Sequence, residues 1–251
     1  MIRGLYTSAT GMITLQKKLE NVSNNLANIE TGGFKKQELI ARAFDDVNIA
    51  NRSNSPDGRL RPIGTMQLGV MVDDIYTDFE QGLLKETNNP LDMAIDGEGF
   101  FTVQLPNGEY AYTRDGGFRL DSEGRLTAGN GCLVLDRDLN SITVGTEDFQ
   151  VTGDGTIVLP GGRRVQLNIV TFLDLQALHR LGENMYAVAA GAPAPADQYV
   201  VRQGFLEQSN VNPLDELVKL IEIARSFESN QKAIQSIDET LDKAVNEIGR
   251  L

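Results

Sequence analysis

The chain has no tryptophan, one cysteine and one histidine among 251 residues. A single thiol, Cys132, forms no internal disulfide. It lies between "GNG" and "LVLD", where it reads as a small packed hydrophobe at the start of a strand. A lone His179 with no second His or Cys nearby supplies no zinc set. Any Ser-His-acid or Cys-His arrangement would have to run through that same residue. Aromatics make up only 6% of the chain, so a deep aromatic ligand pocket is not expected. Positive charge is scarce: 23 Lys and Arg stand against 35 Asp and Glu, a formal net charge of −12. That balance argues against tracking a phosphate backbone or docking on anionic lipid. No apolar run is long enough to span a bilayer, so membrane insertion is not expected. No cleavable leader is expected at the N-terminus, because Thr7, Ser8 and Thr10 interrupt any greasy segment and Gln16-Lys17-Lys18 follow without a small-residue cleavage site.

Chemistry-bearing motifs are missing too. "TSATG" (Thr7–Gly11) lies within a helical repeat and lacks the glycine-flanked serine of a nucleophile elbow. "DGEGFF" is too short for a dinucleotide fingerprint and opens no helix. "DRDLNSITVGTE" places Asp136, Asp138, Asn140 and Glu147 at calcium-loop spacing. Ser141 stands where that loop needs glycine, however, and the flanks read as strands, so a solvated turn is expected. No catalytic residue, cofactor or metal is assigned.

What the chain does have is two helical ends. Ile2, Leu5, Ala9, Met12, Leu15, Leu19, Val22, Leu26 and Ile29 recur at spacings of three and four. Their mean period falls below 3.6, which makes the stripe wind slowly or the helix supercoil left-handed. Thr31-Gly32-Gly33 ends the run. At the other end Leu217, Ile221, Ala224, Phe227, Ile234, Ile237, Leu241, Val245, Ile248 and Leu251 form a stripe, with Val218, Leu220 and Ile223 widening its first half. Pro213 suits a first helical turn, Asn212 a cap, and Asp215 and Glu216 the positive end of the dipole.

Between the ends the period drops to two. Asp96-Gly97, Asn107-Gly108, Asp115-Gly116, Glu123-Gly124, Asp154-Gly155 and Gly161-Gly162 punctuate short strands. The expected architecture is α+β: an N-terminal helix over 1–30, an extended or hairpin connector over 31–77, a central all-β domain over 78–207 and a C-terminal helix over 208–251. The helices are expected to pair in coiled-coil fashion. "QGLLKETNNPLD" from Gln81 and "QGFLEQSNVNPLD" from Gln203 echo each other and read as paired boundary strands.

The helices carry more apolar surface than one partner covers. The N-terminal one also carries a polar face: Asn21, Asn25 and Asn28 sit at i, i+4 and i+7 beside Val22, Leu26 and Ile29. Buried amides fix register at a cost in stability. The expected assembly interface therefore comprises Leu5, Met12, Leu19, Asn21, Val22, Asn25, Leu26 and Asn28 from the first helix. From the last helix it takes Leu217, Ile221, Phe227, Ile234, Leu241, Val245 and Ile248. The alternatives are an exposed polar helix end, a binding module in the β domain, or a membrane-surface helix, which the acidic balance disfavours.

These residues also carry a family likeness. "NNLANIETGGFKK", "QGLLKETNNPLDMAIDGEGFF", "AYTRDGGFRLD", "RLGENMYAV" and "QGFLEQSNVNPLDELVKLIEIARSFESNQKAIQSIDETL", in that order, resemble the bacterial flagellar rod and hook proteins. The resemblance implies a non-enzymatic axial subunit of the basal body, exported uncleaved by the flagellar type III apparatus. It implies self-assembly through the termini into a hollow, torque-transmitting rod, with other rod proteins and the hook as neighbours. It assigns Asn24, Leu26, Ala27, Asn28, Gly33 and Phe34 to an inner-core signature, and Gln203, Gly204, Leu206, Glu207, Ser209, Asn210 and Val211 to its C-terminal counterpart. The connector ending "LGVMVDDIYTDFEQG" is most like distal-rod members. "MIRGLYTSATGM" fits proximal-rod members as well.

Overall fold

A computed structural model describes residues 2–51, 61–146, 148–188 and 191–248. The polar centre of the connector (52–60), Glu147 of the calcium-like pattern, Leu251 and the side chain of Ile248 lie outside the described residues. The chain divides into two compact units: 1–26, 37–76 and 213–251 form one, while 27–36 and 77–212 form the other. The expected connector over 31–77 is thus split, because its first residues fold with the β strands and the remainder with the helices.

The helical unit is framed by α1 (Ile2–Ala27) and α2 (Pro213–Lys243), the latter continued by a π-helical stretch, Ala244–Ile248. α2 starts at the proline, with Asp215 and Glu216 in its first turn, where acid meets the positive end of the dipole. The two helices approach in antiparallel order. A Cβ on Gly4 would lie 3.4 Å from Ile237 Cδ1 and one on Gly11 would lie 3.4 Å from Asn230 Nδ2. Asn25 meets Glu216. Moving along α1 from 4 to 11 to 25 therefore moves the partner back from 237 to 230 to 216. α1 stops at Ala27, short of the expected residue 30. Asn28 turns the chain there: its carbonyl accepts from Thr31 N and its Oδ1 from Thr31 Oγ1.

Four strands fill the rest of this unit. β1 (Gln37–Ala43) pairs with β4 (Val70–Thr77), and β2 (Val47–Asn51) pairs antiparallel with β3 (Arg61–Met66). An Arg42–Asp73 ion pair of 2.8 Å joins β1 to β4. Three threonine hydroxyls of α1 tie it to the residues that open β4. Thr7 Oγ1 donates to Leu68 O at 3.4 Å, Thr14 Oγ1 to Val70 O at 3.5 Å, and Thr10 Oγ1 accepts from Val70 N at 3.4 Å. Spacing of three and four puts these hydroxyls on one helical face.

The β unit is built from short antiparallel strands. β5 (Leu84–Glu86), β6 (Met93–Gly97), β7 (Phe100–Gln104) and β8 (Tyr110–Thr113) come first in the chain. The main sheet runs Leu178–Gly182, Met185–Val188, β8, β7, Leu133–Val134, Leu126–Thr127 and Arg119–Leu120 in space, with Ile169–Thr171 also pairing β7. Met93, Ile95, Phe101, Val103, Phe118 and Leu126 lie in its larger core cluster, and Phe100, Tyr112, Phe172 and Tyr186 in a second, aromatic one. Glycines turn the chain at most of the predicted X-Gly pairs: Gly97, Gly108, Gly124, Gly155, Gly161 and Gly162 have positive φ, whereas Gly116 of the Asp115-Gly116 pair does not. The carboxylate of Asp136 accepts from Asp138 N and Asn140 N, which makes the calcium-like segment an Asx-type hairpin turn.

The sequence echo is a structural pair. β5 lies antiparallel to Phe205–Glu207, with Leu84 opposite Glu207 and Lys85 opposite Leu206. The shared Asn-Pro-Leu-Asp then takes two courses. In the first copy Asp92 N donates to Asn89 O, closing one turn before β6 begins. In the second, the apolar spacing of "ELVKLIEIA" carries that turn on into α2.

Candidate functional site

In the β unit the signature segment 28–36 is held by a buried ionic cluster. Gly33 N donates to Glu207 O at 2.8 Å, and Asn184 Nδ2 to Gly32 O at 2.9 Å. Gly33 has φ +65°, and a Cβ there would lie 2.4 Å from Asp115 N, so only glycine fits. Phe34 is buried beneath the Arg180 guanidinium, 4.8 Å from its ring centroid. Lys35 follows with its ammonium sealed inside. Nζ donates to Glu80 O at 2.7 Å and to Glu207 Oε1 at 2.5 Å.

Glu207 is the centre of this cluster. Its side chain is 0% exposed. Oε1 also accepts from Gly82 N at 3.0 Å, and Oε2 from Arg114 Nη1 at 3.4 Å. Arg114 Nη2 reaches Gly97 O at 2.8 Å, and its guanidinium stacks over Phe100. Gly82 must be glycine, since a Cβ there would sit 1.9 Å from Gln208 O. Burial pulls the Lys35 ammonium below the usual lysine range, with Glu207 opposing the shift. Burial likewise lowers Arg114, and it raises the Asp115 carboxyl. One carboxylate between two buried cations can do no acid–base chemistry on a substrate it cannot reach. It fastens 28–36 and β5 to the strand Phe205–Glu207.

Sequence reasoning did not single out Lys35 and Arg114, because their link to Glu207 spans 172 and 93 residues. The available signal was the repeat itself, in which an acid, Glu207, follows Phe-Leu in an otherwise apolar strand. Gly33, Phe34, Glu207 and Asn210, assigned by resemblance to an inner core, all lie in the β unit.

The predicted interface residues are in the helical unit, apart from Asn28, and are not equivalent. Val22 and Asn25 are buried, while Leu5, Met12, Leu19, Asn21, Leu26, Asn28, Phe227, Ile234 and Leu241 are half-buried. Asn25 is committed within the chain: Nδ2 donates to Gln37 O at 2.8 Å and to Glu216 Oε2 at 3.2 Å, and Oδ1 accepts from Gln37 N at 3.1 Å. Glu216 is 1% exposed and also meets Lys219 Nζ at 3.3 Å. The register that Asn25 fixes within the chain is between its own α1, β1 and α2. Asn21 lines a cleft with Val22, Gln37, Leu39 and Glu216.

A stripe on α2 stays open. Leu214, Leu217, Val218 and Ile221 are 71%, 43%, 55% and 51% exposed, and Val245 is 68% exposed. Leu214, Leu217, Val218 and Ile221 stand at i, i+3, i+4 and i+7, which makes one continuous apolar face.

Comparison with known proteins agrees with both ends and the middle of the chain. Residues 5–35 match the family described as flagella basal body rod protein. Residues 94–159 match the flagellar hook protein FlgE/F/G D1 domain, and 202–247 the flagellar basal body rod FlgEFG protein C-terminal. The chain is 36% identical to the flagellar basal-body rod protein FlgG of Borreliella burgdorferi, over 98% of each chain. It is also 36% identical to FlgF of Caulobacter vibrioides over 100% of each, and 35% identical to the hook-basal body complex protein FlhO of Bacillus subtilis over 100% of each.

Proposed function

The chain belongs to the flagellar basal-body rod protein family, and from that premise we propose that it polymerises through its helical unit into the hollow shaft of the distal rod. It is a structural protein of the basal body, not an enzyme. The observation that carries the polymerising role is the open stripe Leu214, Leu217, Val218 and Ile221. Covering four half-exposed aliphatic side chains is worth about 1 kcal/mol each at ~25 cal/mol per Å². A helical polymer repeats that gain in every subunit through heterologous contacts that do not close. The low apolar period of α1 supports a slow left-handed winding of the helix pair. The same open stripe suits a helical unit that settles into its final packing on assembly. Other rod proteins and the hook are the neighbours above and below.

The long connector, with β4 and the "VDDIYTDFEQG" that spans its end, supports the distal segment. The N-terminal "MIRGLYTSATGM" and a FlgF relative matching end to end favour a proximal place as the second reading. Two experiments test these points. Leu217→Lys with Ile221→Lys should abolish polymers of the purified chain in sedimentation while the β unit stays folded. Polymers of unchanged yield would refute the role of the stripe. Immunogold labelling of purified basal bodies should mark the distal rod, whereas label confined to the proximal rod would select the second reading.

A further inference from the structure

We propose that Asn210 is a positioning residue that gathers the roots of the helical unit before assembly. Its consequence for assembly rests on the polymerising role above, and its geometry does not. The chain leaves the β unit after Lys36, returns at Thr77 and leaves again after Asn212. One amide ties all three crossings together. Asn210 Oδ1 accepts from Lys36 N at 2.7 Å, and Nδ2 donates to Asp78 O at 2.9 Å and to Glu80 O at 3.2 Å. Asp78 N closes the ring by donating to Lys36 O at 2.9 Å. The partners lie 174 and 132 residues away in sequence.

An amide carries a donor and an acceptor in one plane; a carboxylate carries only acceptors, and a hydroxyl lacks the span. The ring also has a fixed base. Lys35, next to Lys36, is bound to Glu207, three residues before Asn210. Both ends of the connector and the root of α2 therefore leave from set points while the protein is still a monomer. Bringing such roots together from a free chain costs loop-closure entropy. Here that entropy is lost when the β unit folds, so polymerisation does not have to supply it.

The test uses the full-length chain with Asn210→Ala and Asn210→Asp. In dilute monomer, hydrogen exchange at the Lys36 and Asp78 amides should speed up about tenfold in N210A, while Phe101 and Val103 in the core keep their protection. The concentration needed for polymerisation should rise about tenfold with it. N210D keeps the acceptor for Lys36 N but turns a carboxylate on the carbonyls of Asp78 and Glu80, so it should also assemble poorly at neutral pH. Acidification through the carboxyl's titration restores one O–H donor, and N210D should then recover assembly relative to N210A. That recovery ties assembly to the donor at this position, and it carries the test alone if N210A loses core protection. Unchanged exchange at Lys36 and Asp78 overturns the proposal, as does faster exchange with unchanged assembly. A wild-type chain that never polymerises, yet shows the exchange changes, overturns the assembly role and leaves the ring as fold architecture.

Discussion

Replacing Glu207 with Gln keeps the side chain's shape and removes its charge. Lys35 and Arg114, 1% and 6% exposed, would then face each other across a neutral amide. The amide oxygen could satisfy Gly82 N or Lys35 Nζ, and the amide NH2 would point a donor at a donor. Stranding buried charges by removing their partner costs about 3–5 kcal/mol. Lys35→Met is the milder change, about 1–3 kcal/mol, because Glu207 retains Arg114 and Gly82 N. The double substitution should cost less than the sum of the two singles. Urea unfolding followed by tyrosine fluorescence measures this, with no tryptophan to mask Tyr112 and Tyr186 in the β unit. The pH dependence is a second check. Burial lowers the folded pKa of Lys35, so the unfolded chain holds more protons between that value and the ordinary lysine range, and stability rises with pH across the window. Without Glu207 to oppose the shift, the window widens downward, and the deficit of E207Q should shrink as pH is raised from 7 towards 10. An E207Q chain within about 0.5 kcal/mol of wild type, or a K35M chain weaker than E207Q, would rule out a central role for the Glu207 charge.

Three further changes probe other parts of the account. Gly33→Ala places a Cβ against Asp115 N at a positive φ, and chemical denaturation should show the β unit weakened by about 2–4 kcal/mol. Asn25→Leu strands Gln37 and part of the Glu216 carboxylate in a site only 1% exposed. It should destabilise the helical unit by about 2–4 kcal/mol, read as earlier loss of the far-UV helical signal while the amides of Phe101 and Val103 keep their hydrogen-exchange protection. For Asp115, burial raises the folded pKa above 3.8, so the fold disfavours the charged form, and the contribution of this group to stability falls as pH climbs from 3.8 through its folded value. Asp115→Asn keeps the acceptor for Gly117 N and removes that charge. Its Tm should exceed wild type at pH 7, and the advantage should vanish at acid pH.

The two helices were legible because three-and-four spacing survives any tertiary context. The strands were legible because X-Gly pairs announce where a backbone must reverse. The repeat at Gln81 and Gln203 correctly announced the pairing of β5 with Phe205–Glu207. The allegiance of "TGGFKK" was hidden. Local pattern made it a helix stop, whereas its lysine is claimed by a carboxylate 172 residues later, and no local period records such a contact. Asn25 was visible as an amide that sets register. Its partners were not, because Gln37 and Glu216 meet it only after the chain has turned at Asn28 and α2 has folded back.

In the proposed assembly the open α2 stripe becomes covered only between copies of this chain. Hydroxyl-radical footprinting of the dilute chain and of its polymer reads that directly. Leu217, Val218 and Ile221 should be modified freely in the dilute chain and shielded in the polymer, with Phe101 and Tyr186 shielded in both. Equal modification of the three α2 residues in the two states would contradict the account.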